Sequence, residues 1–471
     1  MPQNLILFPL ISHPMRFRTT NCPDNMKQAA ATLALLTFVL FMLPTKTGAY
    51  VLDEPLLNDV QEFSVDGIDV LLRSSTEATS VSAIVYIKGG TAAMANNELV
   101  SSEYLALKLI PGSGTERTSK QAYRRKMMRM VSGIDGADGR DFSDIAMRCT
   151  REHFDTTWKF FSEILTHPRV DQTEFTNLVN NALVSLQSGR NDPDRLSHSV
   201  LDSVFFLDHP YGKHLTAQNI SSQTPEHVLD YYKSIMVKSR MLLVVVGNVS
   251  RRELEEKMRR GGLTSLPEGS YTPQNIPMPA KAFSPGAYFP QIDRRLPTNY
   301  VLCYHHIPNK GDSDYYPYVR VRNFLSGFLF QHLRVQTNLA YAPNNDDYEW
   351  RSAVEEISFQ TPLVDSAVKI FFNDVEFFQK NLILESAIKS GVAKWTTSSY
   401  LKQETTIEQA GAIGQAELLT GSWRNAFVSF DKLSSVKPEQ MLRVAKTYFK
   451  NFNWCIVGDT SGIDKELLLT R

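Results

Sequence analysis

A chain of 471 residues is too long for one small core and long enough for two domains of about 200 residues each. Its 42% hydrophobic, 21% charged and 10% aromatic residues are those of a globular protein able to bury a large core. Lysine plus arginine and aspartate plus glutamate both number 50, so the formal net charge is zero. That balance excludes nucleic acid as the main partner, because phosphate binding calls for a basic surplus or stripe.

In chain order, the first feature is Lys27 followed by the apolar run AAATLALLTFVLFMLP and then TKTGA. A charged start, an apolar stretch of about 15 residues and a small-residue end read as a secretory signal over residues 1–49. The run is short of the roughly 20 residues that span a bilayer, so a cleaved signal is expected, with a retained anchor as the alternative. The mature protein is then exported, and periplasmic if the source is bacterial. Met26 offers an alternative start, which would leave Cys22 outside the protein. Cys149, Cys303 and Cys455 form no CxxC pair and read as small buried hydrophobes rather than a disulfide framework.

The mature chain repeats itself. TPEHVLDYYKSIMVKSRMLLVVVGNVSRRELEEKM in the middle is echoed by KPEQMLRVAKTYFKNFNWCIVGDTSGIDKELL at the end. Both pass from Pro-Glu through a helix-period segment into an apolar strand, Val-Gly-Asn or Val-Gly-Asp, a turn and a further helix. The starts of the halves match more loosely. VSAIVYIKGG precedes a helix through ELVSSEYLALKL, and NYVLCYHHIPNKG precedes a helix through YYPYVRVRNFLSGFLFQHLRV. The Pro-, Gly- and Ser-rich stretch 266–284 reads as a linker. These features predict an α+β fold with domains at 51–265 and 285–471.

Metal-binding and catalytic motifs are sparse. A helical zinc site needs two histidines at i and i+4 with a glutamate as base, and neither HExxH nor HxxEH occurs. His305 and His306 are adjacent on a predicted strand, where they point to opposite faces and cannot chelate one ion. His209 and His214 flank a turn in DHPYGKH and read as turn formers. Gly89-Gly90 lacks the context of a phosphate loop, and no GxSxG elbow is present.

The order of VSAIVYIKGG, the helix running to GSGT, FFLDHPYGKHLTAQ, the two VGN/VGD strand ends and LFQHLRVQTNLAYAP resembles the insulinase-like M16 metallopeptidases over nearly all of residues 60–460. The nearest type is the processing-peptidase-like, two-domain subunit that works in a dimer. The resemblance implies two homologous domains facing each other around a chamber. Anchored on Gly114-Thr115, the family's zinc helix sets its two histidines at Leu105 and Leu109 and its catalytic glutamate at Lys108. The third ligand, a glutamate, falls at Ser185. Leucine has no lone pair for zinc, an ammonium repels it, and serine alone is a poor ligand. Without the metal and a carboxylate, no water is activated and nothing takes its proton.

The resemblance also assigns Arg334 and Tyr341 to the pair that reaches a peptide substrate, one gripping its backbone and the other steadying the developing oxyanion. Gly327 lies inside the same helix, where close packing or a flexible peptide-facing segment would explain it. The chain is thus expected to be a non-catalytic subunit without a cofactor of its own, acting on peptides with an exported partner that carries HxxEH and zinc. The alternative is a structural or peptide-binding protein without a proteolytic role, and an active zinc enzyme would need ligands elsewhere.

Overall fold

The computed structural model describes residues 59–292, 295–427 and 430–470. The expected signal segment, with Met26 and Cys22, lies outside the described residues. The rest is a mixed α+β structure built on two sheets. The first holds β1 (Val60–Val65), β2 (Ile68–Ser74), β3 (Ser80–Lys88), β4 (Gly133–Ala137), β5 (Phe142–Thr150) and β6 (Met241–Gly247), in the order β1-β2-β6-β3-β5-β4. The second holds β7 (Gly286–Tyr288), β8 (Asn299–His306), β9 (Asn344–Tyr348), β10 (Val354–Thr361) and β11 (Asn453–Val457), in the order β7-β11-β8-β10-β9.

Strand sense repeats as well as order. β2 and β6 run parallel, and β6-β3-β5-β4 are antiparallel in turn. β7 and β11 run parallel, and β11-β8-β10-β9 follow the same antiparallel course. The echoed strand ends behave alike. Gly247 and Gly458 leave their strands at φ 139° and 154°, and a side chain at either would strike Ser80 or Asn299 of the neighbouring strand.

Twelve helices of eight residues or more connect the strands among the described residues. In the first half they are α1 (Asn97–Leu109), α2 (Lys120–Arg129), α3 (Phe154–Thr166), α4 (Gln172–Gly189), α5 (Pro193–Phe205), α6 (Pro225–Ile235) and α7 (Arg251–Arg260). In the second they are α8 (Tyr315–Leu329), α9 (Val364–Lys380), α10 (Glu385–Leu401), α11 (Thr406–Thr420) and α12 (Pro438–Tyr448). α6 and α12 both open on the Pro-Glu pairs of the repeat, proline standing where the missing N–H has no helical partner to lose.

Both central strands are apolar on both faces because each sheet is covered twice. On β3, Val81, Ala83, Val85 and Ile87 face a core shared with α1, α3 and α6, while Ile84 and Tyr86 face the other way. The helix on that second side is α11, from the far half of the chain, through Ala410, Ile413 and Ala416. Gly414 lets α11 approach closely, since a side chain there would overlap the Tyr86 ring. The exchange is mutual: α5 lies across β8 and β11, burying Leu201 and Phe205 against Leu302, Tyr304 and Cys455. The stretch 266–284 is pinned where Lys238 N and Ser239 N donate to Pro267 O and Glu268 O at 2.9 Å. No helix among the described residues is long and apolar enough to cross a membrane.

Candidate functional site

α1 holds Leu105, Lys108 and Leu109, the positions to which the family resemblance assigns its zinc motif. Asn96 caps it by accepting from Leu99 N at 3.1 Å, and it ends where Ile110-Pro111-Gly112 tighten into a 3₁₀ turn. Leu105 and Leu109 are 0% and 4% exposed and belong to the main core of the first half. Lys108 is exposed, and its Nζ donates to Gly136 O on β4 at 3.4 Å. Gly136 has no side chain to strike the Leu107 carbonyl, so β4 can lie that close. Ser185 is exposed on α4, which packs against α1, and its Oγ accepts from Arg195 Nη2 at 3.0 Å.

These side chains do not fit a zinc ion. Two are buried hydrocarbon, one is a cation, and the fourth is a lone hydroxyl already engaged by an arginine. Among the described residues, no group of three or more His, Cys, Asp and Glu side chains is placed to hold a metal ion.

Sequence reasoning missed the carboxylates around this helix. Glu103 is fully buried. Burial pushes its carboxyl up, while hydrogen bonds from the Ser143 and Tyr231 hydroxyls hold it down. Asp144 is pushed up to about 6 by burial, with the Lys108 ammonium acting against it. A lone acid two residues before an apolar helix stretch carries no motif, so only the packing exposes it.

The second half presents an open arrangement. After Leu329 the helix widens into a π turn over Phe330–Gln336, the kind of distortion that favours functional positions. Asn338 then takes the left-handed conformation at φ 51°. The chain doubles back, so that Leu339 N and Ala340 N both donate to Leu333 O, at 2.8 and 3.0 Å. This turn brings together the two residues that the sequence singled out. The Arg334 guanidinium carbon lies 4.7 Å from the centre of the Tyr341 ring, and Arg334 Nη1 donates to Asn338 Oδ1 at 2.7 Å. Tyr341 is 76% exposed. It borders a cleft of about 110 Å³ whose walls include Asp194 and Ser197 from α5 and Tyr300 and Gln360 from the second sheet. A forked cation packed against a phenol that borders a cleft can grip a peptide carbonyl or a carboxylate. Gly327 meets nothing within 4 Å of its missing Cβ.

The histidines stay apart. His305 is buried, with Nδ1 3.1 Å from Tyr448 O and Nε2 3.2 Å from Glu355 Oε2, directly opposite on β10. His306 is pushed down to about 4 by burial and shares neither partner. His209 Nε2 bonds Pro277 O in the linker at 2.8 Å, and His214 Nδ1 bonds Gly212 O at 3.0 Å. The three described cysteines are buried and unpaired, and burial raises Cys149 to about 11 and Cys455 to about 12.

Charged pins between the halves were also missed. Asp141, in the β4–β5 turn, accepts from Tyr211 OH at 2.8 Å, Arg351 Nε at 2.8 Å and Arg351 N at 2.9 Å. His198 of α5 meets Glu356 of β10 at 3.0 Å, and Tyr348 OH donates to the same carboxylate oxygen at 2.8 Å. His198 is raised to about 9, chiefly by that bond to Glu356. A cavity of about 700 Å³ lies between α8, α11 and the β9–β10 turn; Arg322 pairs with Asp347 at 2.5 Å and Lys310 with Glu349 at 2.9 Å on its wall.

Residues 222–390 match the family model described as the peptidase M16 inactive domain. The fold is shared with a peptidase M16 inactive domain from Pseudomonas fluorescens, at a TM-score of 0.75 and 15% identity, over 85% of this chain and 98% of that one. It is shared with a protease from Helicobacter pylori at 0.74 and 14%, over 85% and 99% of the two chains. The periplasmic protease PqqL from Escherichia coli aligns at 0.71 and 14%, over 91% of this chain and 50% of its own. A comparison with the curated proteins returns no match. Residues 222–390 are thus similar in sequence to the peptidase M16 inactive domain, and the chain as a whole shares its fold with these solved structures.

Proposed function

We propose that this chain is the non-catalytic subunit of an exported M16-type peptidase heterodimer. A partner bearing HxxEH and zinc performs the hydrolysis, and this chain contributes substrate binding and oxyanion stabilisation through Arg334 and Tyr341. The observation that carries the reading is the pairing of these two side chains at 4.7 Å on an exposed turn, in a molecule where two of the three expected ligand positions hold core leucines. The repeated strand order supports two domains of common descent, one keeping a peptide-binding surface and the other having lost its metal. Export is proposed from the Lys27 segment, and the periplasmic relative from Escherichia coli is in keeping with it.

The test is reconstitution with the co-purifying chain. Arg334→Ala or Tyr341→Phe should leave the complex assembled and cut peptide turnover by about 10²-fold, the scale of one transition-state donor. Unchanged turnover in both variants would remove the assigned roles. A chain that purifies alone, with no peptidase subunit attached, would favour a structural role instead.

A further inference from the structure

We propose that the cavity between α8 and α10 binds an aliphatic monocarboxylate, with Arg320 receiving its carboxylate. This site is separate from the Arg334–Tyr341 cleft and does not depend on the function proposed above. Its volume is about 540 Å³, within the range of small-ligand sites. Phe324, Gly327, Phe330, Ala387 and Gly391 give it an apolar lining, and the exposed Lys394 stands among them.

Arg320 is the anomaly. It is 2% exposed, its Nη2 donates to Ile388 O, and its Nε has no partner. Its guanidinium carbon lies 5.7 Å from the Phe324 ring centre. No acid pairs with it among the described residues, whereas Arg140, Arg322 and Arg351 each hold a carboxylate. A guanidinium cannot shed its proton, and a buried charge without a counter-ion is costly. An anion entering the cavity would supply the missing charge and a second set of hydrogen bonds. Gly391 makes room for the group, since a Cβ there would lie 3.0 and 3.1 Å from its two terminal nitrogens.

The walls favour a hydrocarbon tail over a peptide. They are helices, whose backbone groups are bonded internally. Ser326 Oγ donates to Arg322 O at 3.1 Å and Ser390 Oγ to Ala387 O at 2.9 Å, so two of the three lining hydroxyls are turned to their own helices, and beside the two cations only Ser398 and Asn323 add polar groups. Peptide amides would find few partners there, while an alkyl chain needs none.

The test is calorimetric titration of the full chain with sodium decanoate, decan-1-ol and N-acetyl-Ala-Ala-Phe. Decanoate should bind at one site, about tenfold or more tighter than decanol, the scale of one charge-assisted contact. Arg320→Met should reduce decanoate to the level of decanol and leave decanol unchanged. Its melting temperature should not fall, because the substitution removes an unpaired buried charge. Ala387→Trp, which fills the cavity from its side wall, should abolish both ligands and serves even if Arg320→Met misfolds. The proposal is overturned by any one of four results: no decanoate binding, equal binding of decanol, tighter binding of the peptide, or indifference of decanoate to either variant.

Discussion

Placing histidines at positions 105 and 109 should unfold the protein rather than create a zinc site. Leu105 and Leu109 are 0% and 4% exposed, so each replacement forfeits about 2 kcal/mol of apolar burial. Each imidazole also brings ring nitrogens into a region without partners, at about 1–3 kcal/mol apiece. The pair together should cost about 6–10 kcal/mol, against a typical total stability of about 5–15 kcal/mol. Because the two positions share one face of α1, the sum need not be additive. Thermal and urea unfolding of Leu105→His/Leu109→His, with and without added zinc, tests this. The expected result is a low, zinc-independent midpoint, because Lys108 and Ser185 still offer the metal neither charge nor a ligand. Adding Lys108→Glu and Ser185→Glu should make the midpoint rise with zinc, since binding to the folded state alone stabilises it. A double-histidine variant that melts with the wild type would refute the placement of these leucines in the core.

Two further outcomes concern the pins between the halves. His198 is raised from 6.5 to about 9, so its contribution is complete below its unfolded value and fades as pH rises through about 9. Glu356 is held below its ordinary value, burial being outweighed by His198 and Tyr348, so its share is lost as pH falls. Stability of the wild type should therefore drop by about 2 kcal/mol between neutral pH and pH about 10, part exposure discounted. The His198→Asn variant should lose that slope in pH-dependent urea unfolding, and an unchanged slope would place the titration elsewhere. Asp141→Asn should cost about 3–5 kcal/mol, because an amide turns one donor toward groups that already donate. Adding Arg351→Met on that background should cost little more, as a double-mutant cycle would read.

The sequence disclosed whatever is written locally. The strand at LLVVVG and the two Pro-Glu helices appear where composition and period put them, because each rests on neighbours within a few residues. The Arg334–Tyr341 pair was legible only through the family resemblance; its cause, the turn at Asn338, is a backbone conformation that no periodicity signals. Glu103, Asp141, Glu356 and Arg320 were not legible at all. Each is one charged residue in ordinary surroundings, and its meaning comes chiefly from partners 40 to 210 positions away, or in Arg320 from the absence of any acid among the described residues. The exchange of α5 and α11 was hidden for the same reason, since an amphipathic period says that a helix is covered and not by which half.

That exchange bears on how far the cores of the two halves can change independently. Leu105 and Leu109 lie in the core on the helix side of the first sheet, and Leu333, beneath Arg334, lies in the corresponding core of the second. The two cores share no residue. The halves are joined instead through the opposite faces of the sheets, by α5, α11 and the Asp141 and Glu356 pins. Leucine at positions 105 and 109 adds apolar burial to the first core without repacking the joint or the second core. A substitution in the first core of a chain so built can change its stability while the turn that holds Arg334 against Tyr341 is unaffected.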